Sequence, residues 1–113
     1  MPFINVKTNQ KLNADKIESM KSKLGQAITD VPGKSEGWLM VGVQDDCTLY
    51  FKGNDAPAAM VQVSLYGSAS SNALTTLTSH ITGILQEEAG VPSERVYVSY
   101  MSTNEWGWNG VNF

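Results

Sequence analysis

Pro2 is the residue of this chain with the clearest capacity for acid–base chemistry. Removal of Met1, which a small second residue favours, would convert the Pro2 nitrogen from an amide into a basic secondary amine. An α-amino group has a pKa of about 7.7–8.0, and burial or a nearby cation lowers that pKa. Because a general base works best with a pKa near the operating pH, Pro2 is a candidate for proton abstraction.

The composition excludes several other kinds of site. With 113 residues, a formal net charge of -3 and scattered lysines, the chain lacks the basic surface of a nucleic-acid-binding protein. Cys47 is the only cysteine, which excludes an internal disulfide and a cysteine-rich zinc site, and we expect its side chain to be buried. His80 is the only histidine, so no metal and no cofactor is predicted. Without a visible leader or membrane span, we expect a cytoplasmic protein, with export that needs no signal peptide as the alternative.

The chain contains two similar halves, residues 2–59 and residues 60–113. In each half a Ser-Glu pair, at Ser35-Glu36 and at Ser93-Glu94, precedes a run of strand-forming residues. Shifting one half along the sequence by the separation of these two Ser-Glu pairs also aligns its other apolar runs with those of the other half. This internal repeat predicts one domain over residues 1–113.

Strand and helix patterns alternate within both halves. Short apolar or β-branched runs predict strands, and apolar residues at helical spacing predict amphipathic helices. The four segments are Pro2–Thr8, Ala14–Thr29, Met60–Tyr66 and Asn72–Glu87. Asn13 and Ser71 come directly before the two helical runs and are the predicted N-caps.

These patterns predict an α+β fold made of a duplicated βαβ unit. Two such units with right-handed crossovers give a ferredoxin-like, four-stranded sheet with both helices on one face. The run Trp38–Val43 is nearly continuously apolar, which is typical of a strand buried on both sides. Helices cover only one face of this sheet. We therefore expect a second copy of the chain to cover the other face, which makes the protein a homo-oligomer.

Two shorter signals complete the predicted elements. Thr48–Phe51, after an Asp-Asp turn, has the composition of a short strand. Asn109-Gly110, between Trp108 and Val111, is the dipeptide most typical of a two-residue β-hairpin.

Five fragments, in this order along the whole chain, resemble the macrophage migration inhibitory factor family of the tautomerase superfamily. The fragments are Pro2, Gly33-Lys34, Pro57-Ala58-Ala59, Arg95-Val96-Tyr97 and Gly107-Trp108-Asn109. The resemblance implies the duplicated βαβ fold and a homotrimer with inward-facing sheets and active sites at the subunit interfaces. It also implies an isomerase: a keto–enol tautomerase for phenylpyruvate, hydroxyphenylpyruvate and dopachrome-type compounds, with Pro2 as the general base.

The resemblance also implies a set of substrate-binding residues. Lys34 matches a lysine that binds the substrate carboxylate and lowers the pKa of the proline amine. Tyr97 matches an aromatic residue supplied by the neighbouring subunit, and Ser99 stands where the best-known members have an asparagine. The full set of expected pocket residues is Lys34, Trp38, Leu65, Tyr66, Tyr97, Ser99, Trp106, Trp108 and Phe113.

Each of these residues also has a purely structural interpretation. Lys34 could be a solvated lysine that complements a helix C-terminus, and Tyr97 could pack within a strand. The C-terminal tryptophans could serve only subunit packing. At the level of the whole protein, the alternative is a cytokine-like protein that binds a cell-surface receptor and has a vestigial pocket.

Overall fold

Two strand–helix–strand units and a short C-terminal hairpin make up the fold, which a computed structural model describes for all 113 residues. In chain order the elements are β1 (Pro2–Thr8), α1 (Ala14–Ala27), β2 (Met40–Gln44), β3 (Ala59–Tyr66), α2 (Ser71–Ala89), β4 (Val96–Thr103), β5 (Gly107–Trp108) and β6 (Val111–Asn112). The sheet order is β2-β1-β3-β4, and both helices pack on one face. Within each unit the strands are parallel, and the antiparallel pair β1–β3 joins the units. The predicted duplicated βαβ fold is confirmed.

The core lies between the helices and one face of the sheet. Successive side chains of a strand point to opposite faces, so every second residue of β1 and β3 is buried beneath the helices. Burial of each such Val, Leu or Ile side chain contributes roughly 1.5–3 kcal/mol. The largest fully buried side chains include Ile4, Val6, Met20, Leu24, Ile28, Val61, Val63, Leu65, Leu77, Ile81 and Leu85.

Both helices begin at polar caps, one of them a residue earlier than predicted. Asn13 caps α1 as expected, because its side chain accepts a hydrogen bond from the Lys16 amide at 2.9 Å. The cap of α2 is Ser70 and not Ser71: Ser70 has an extended backbone and accepts from the Ala73 amide at 3.1 Å, whereas Ser71 is already helical. Neither helix combines the length and the hydropathy that a bilayer crossing requires.

The second strand is shorter and less buried than the apolar run predicts. Trp38 lies outside it, in a single 3₁₀ turn over Glu36–Trp38, and is 53% exposed. The strand begins at Met40 and lies at the edge of the sheet, where β1 is its only neighbour. Val41 and Val43 pack against the core, but Met40 is exposed on the opposite face. The prediction of a strand that begins at Trp38 is therefore wrong, and the exposed side of the strand lies on the face that helices were not expected to cover.

Of three other local predictions, one is confirmed and two are wrong. Thr48–Phe51 is not a strand, because this segment contains only one isolated bridge, between Phe51 and Asn54. The C-terminal hairpin is confirmed: Asn109 and Gly110 have φ values of 54° and 83°, as a tight hairpin turn requires, and β5 pairs with β6. Cys47 is partly exposed and not buried as expected, because it lies in the surface loop that follows β2.

The sheet face opposite the helices carries both polar and apolar side chains. Asn5 donates a hydrogen bond to the Gln44 side chain at 3.4 Å. A shallow groove of about 210 Å³ on this face is lined by residues from β1, β3 and β4, among them Asn5, Gln62, Ser64, Ser99 and Met101. The apolar side chains Met40 and Met101 are 68% and 61% exposed, so this face offers apolar area around a polar centre.

An ion-pair cluster links the two helices at their outer surface. Lys23 of α1 contacts the carboxylates of Glu87 and Glu88 of α2, and its Nζ lies 2.8 Å from Glu88 Oε1. The Glu88 side chain is only 5% exposed. The hydrogen bond from Lys23 lowers the pKa of Glu88 despite the opposing effect of burial, and the two glutamates raise the pKa of Lys23.

We expect the Glu88→Gln variant to lose less stability than the parent protein on acidification. The folded-state pKa of Glu88 lies below its ordinary value of 4.5, so its charge stabilises the parent above that pH. This contribution disappears as the pH falls through the lower folded-state pKa. Urea unfolding between about pH 6 and about pH 3 measures the difference. Glu94→Gln, which removes an exposed carboxylate outside any ion pair, should follow the parent, and identical pH profiles for all three proteins would contradict the prediction.

Candidate active site

A cleft with a volume of about 390 Å³ opens beside the start of β1. The beginning of β1, the 3₁₀ turn before β2 and the C-terminal hairpin form its walls. The lining residues are Met1, Pro2, Phe3, Gly37, Trp38, Leu39, Met40, Trp106, Gly107 and Trp108. Most of these are apolar or aromatic, so the cleft suits a flat, largely apolar molecule with few polar groups.

Pro2 is buried as the first residue of β1 and pairs with Leu65 of β3. The Met1 carbonyl accepts a hydrogen bond from the Tyr66 amide at 3.1 Å, which holds the chain start against the end of β3. With Met1 attached, the Pro2 nitrogen is an amide, and the basic group at the cleft is the Met1 amine. Burial first, and then the nearby charge of Lys34, lower the pKa of this amine from its ordinary value of 8.0. The Met1 amine therefore loses its proton more readily than a solvated amine does.

Lys34 reaches the same end of β3 from the loop after α1. Its Nζ donates a hydrogen bond to the Tyr66 carbonyl at 2.7 Å and lies 6.0 Å from the centre of the Tyr66 ring. Gly33 precedes it with a φ of 82°, a left-handed conformation that turns the chain toward the sheet. None of the ion pairs in the protein includes Lys34. Since an ammonium has three donors and one is used here, Lys34 can still bind an anion.

Four aromatic rings extend from the cleft wall toward Lys34. Trp38 and Trp108 pack edge to face with ring centres 5.3 Å apart, and Tyr66 and Phe113 do the same at 5.3 Å. Trp108 and Phe113 connect the two pairs at 6.5 Å. The hairpin places two of these rings, Trp108 and Phe113, because the Phe113 amide bonds to the Trp106 carbonyl at 3.0 Å and so returns the C-terminus to the cleft.

The sheet register separates Tyr97 from Pro2 of the same chain. Tyr97 pairs with Met60 of β3, whereas Pro2 pairs with Leu65, five positions further along that strand. At 3.2–3.4 Å per residue these five positions correspond to about 16 Å. The Tyr97 ring is 61% exposed and packs against Phe51 with ring centres 4.9 Å apart.

Ser99 and the side chain of Leu65 also lie away from the cleft. Ser99 pairs with Gln62 and lines the groove on the open sheet face. Leu65 is next to Pro2 in the sheet, but its side chain is 1% exposed within the core, so only its main chain can meet a ligand. The single chain therefore brings together Pro2, Lys34, Tyr66 and the C-terminal aromatic residues, and does not bring Tyr97 or Ser99 to them.

Two cleft residues beyond the expected set follow from strand pairing. Phe3 and Met40 are partners in the register of β1 with β2, and both line the cleft. The predicted parallel pairing of the first two strands was the signal that could have identified them, because parallel strands bring their starts to the same edge of a sheet.

Comparison with known proteins shows which family the chain resembles over its whole length. The whole chain, residues 1–113, matches the sequence profile of the family described as Macrophage migration inhibitory factor (MIF). The macrophage migration inhibitory factor of Xenopus laevis is 24% identical over 116 residues, covering 100% of this chain and 99% of that protein.

Solved structures are similar over the same length. The crystal structure of Leishmania major MIF2 has 34% sequence identity and a TM-score of 0.93, covering 100% of this chain and 97% of that one. The macrophage migration inhibitory factor homologue from Prochlorococcus marinus has 26% identity and a TM-score of 0.83, with 98% of each chain covered. The chain therefore belongs to the macrophage migration inhibitory factor family, within the tautomerase superfamily.

Proposed function

We propose that the protein is a keto–enol tautomerase for aromatic 2-keto acids such as phenylpyruvate and hydroxyphenylpyruvate, and for dopachrome-type compounds. The observation that carries the proposal is an aromatic cleft that contains the chain start, with the cation of Lys34 close to the same chain start but outside the cleft lining. Pro2, once Met1 is removed, is the general base. Membership of the family supports the same reaction class.

The proposed reaction moves one proton and consumes no co-reactant. The neutral Pro2 amine removes a proton from the carbon beside the substrate carbonyl, and the electron pair of that C–H bond forms a carbon–carbon double bond. The carbonyl π electrons move to oxygen, which takes a proton from the Pro2 ammonium, and the base is restored. The reverse sequence converts the enol into the ketone.

Lys34 has two roles in this proposal. Its free donors bind the substrate carboxylate through a charge-assisted hydrogen bond, while its contact with the Tyr66 carbonyl orients the ammonium group. Its positive charge also lowers the pKa of an amine at the chain start, as it does for Met1. The rings of Trp38 and Trp108 then provide an apolar surface for the aromatic part of the substrate.

A homotrimer with inward-facing sheets would complete the site. Tyr97 and Ser99 are too distant from Pro2 of their own chain, so in this proposal they serve the cleft of a neighbouring copy. The exposed apolar side chains of the open face, including Met40 and Met101, support an association of this kind, because their burial between copies is favourable.

The first expected result is that activity requires a free Pro2 amine. The mature protein should convert hydroxyphenylpyruvate, and Pro2→Gly should lower kcat/KM by about 10²- to 10⁴-fold, the usual contribution of a positioned general base. Intact-mass measurement identifies the form assayed. Protein that retains Met1 should be inactive, and digestion with methionine aminopeptidase should restore its activity. Full activity with Met1 in place would contradict the proline mechanism, and an inactive mature protein would favour the receptor-binding alternative.

The second expected result concerns Lys34→Ala. Loss of the carboxylate partner should raise KM roughly 10- to 150-fold, the equivalent of a charge-assisted hydrogen bond. The same substitution removes a cation that lowers the amine pKa, so the acidic limb of the kcat/KM profile should move to higher pH. Lys11→Ala, which removes an exposed lysine outside the cleft, is the matched control. An unchanged KM and pH profile would leave Lys34 as a solvated surface residue.

The third expected result is a trimer with sites shared between chains. Light scattering should give three times the chain mass of 12.3 kDa. Pro2→Gly and Tyr97→Ala should each reduce activity, and co-refolding the two variants should recover part of it, because some interfaces then combine an intact Pro2 with an intact Tyr97. A stable monomer at micromolar concentration, or no recovery in mixed trimers, would contradict shared sites.

A further inference from the structure

Arg95 is bound by the main chain of one surface loop. It ends the 3₁₀ turn that precedes β4, and no carboxylate pairs with its guanidinium. The guanidinium instead donates to four main-chain carbonyls. These are Pro57 at 2.8 Å, Ala56 at 3.0 Å, Phe51 at 3.2 Å and Asn54 at 3.3 Å. A planar group with five donors in fixed directions can hold several carbonyls in one geometry, which a lysine could not do.

Asn9 holds the same loop from its other side. Its Nδ2 donates to the carbonyls of Leu49, Asp55 and Ala56 at 3.0–3.2 Å, and its Oδ1 accepts from the Ala58 amide at 3.0 Å. The only strand-like contact inside the loop is the bridge between Phe51 and Asn54. Side-chain bonds from Asn9 and Arg95, and not core packing, therefore determine the path of residues 49–57.

The anchored loop presents one aromatic ring to Tyr97. The ring of Phe51 lies between two groups: the Arg95 guanidinium carbon is 5.1 Å from its centre, and the Tyr97 ring packs edge to face at 4.9 Å and 77°. Tyr97 is 61% exposed and lies on an edge strand. The Phe51 ring is therefore the aromatic contact that limits the movement of the Tyr97 ring.

We propose that Arg95 and Phe51 are positioning residues that hold the Tyr97 ring in the orientation in which it enters the cleft of the neighbouring copy. This inference rests on the proposed function, because it requires the shared site of the trimer. Neither residue lies at the cleft of its own chain, and Arg95 acts through Phe51. The effect falls on substrate binding and not on proton transfer, since Pro2 and Lys34 are untouched.

The test compares KM and kcat for hydroxyphenylpyruvate in three variants. Phe51→Leu removes the edge-to-face contact and Arg95→Gln removes the cation and most of the carbonyl bonds. Each should raise KM about three- to tenfold, the equivalent of a lost aromatic pair, with kcat and the acidic limb of the pH profile unchanged. Phe51→Tyr keeps the ring and should keep the parent KM. In a Tyr97→Ala background neither Phe51→Leu nor Arg95→Gln should raise KM further.

Matched controls separate this effect from general damage to the loop. Tyr50→Leu removes the exposed neighbouring ring. Lys52→Gln removes a cation that lies 5.8 Å from the Phe51 ring and forms none of the carbonyl bonds. Both variants should keep the parent KM.

Light scattering and thermal unfolding confirm that every variant is a folded trimer, and Phe51→Leu carries the test if Arg95→Gln does not fold. An active parent with an unchanged KM in Phe51→Leu overturns this inference alone. An equal rise in KM in the Tyr97→Ala background also overturns it, while an inactive parent overturns the proposed function and this inference together.

Discussion

The antiparallel pairing of β1 with β3 is the constraint on which the fold and the candidate site both depend. It joins the two βαβ units into one sheet and places the chain start opposite Leu65. The main chain of Tyr66 then receives contacts on both of its polar groups, because its amide bonds to Met1 and its carbonyl to Lys34. A shift of this pairing by one residue would exchange the buried and open faces of β1 and would separate the N-terminal amine from the cation.

The same pairing explains why one chain contains only part of the expected site. Pro2 lies at one end of β3, and Tyr97 pairs near the other end. The register keeps these two side chains apart within one chain, and in the proposed trimer a neighbouring copy would bring a Tyr97 to each Pro2. Association of the open sheet faces would therefore serve both the burial of apolar side chains and the completion of the cleft.

Arg95 and Lys34, two cations without carboxylate partners, differ in their capacity to bind a ligand. Arg95 uses the donors of its guanidinium on four carbonyls of its own chain, which makes it a structural clamp. Lys34 uses one donor on one carbonyl at the edge of an apolar cleft, so its charge is available to a ligand. The difference follows from the number of main-chain acceptors around each group.

The sequence by itself determined the elements that depend on neighbouring residues: the repeat, both helices, the Asn13 cap and the Asn109-Gly110 hairpin. The chemistry of an N-terminal proline also made Pro2 a candidate base, and resemblance to a family added Lys34. Only the tertiary structure decided that β2 begins at Met40 at a sheet edge, that Thr48–Phe51 is a loop held by side chains, and that Leu65 points into the core. The physical reason is that an apolar run records a preference for burial and for strand geometry, whereas exposure depends on which strands and side chains arrive from distant parts of the chain.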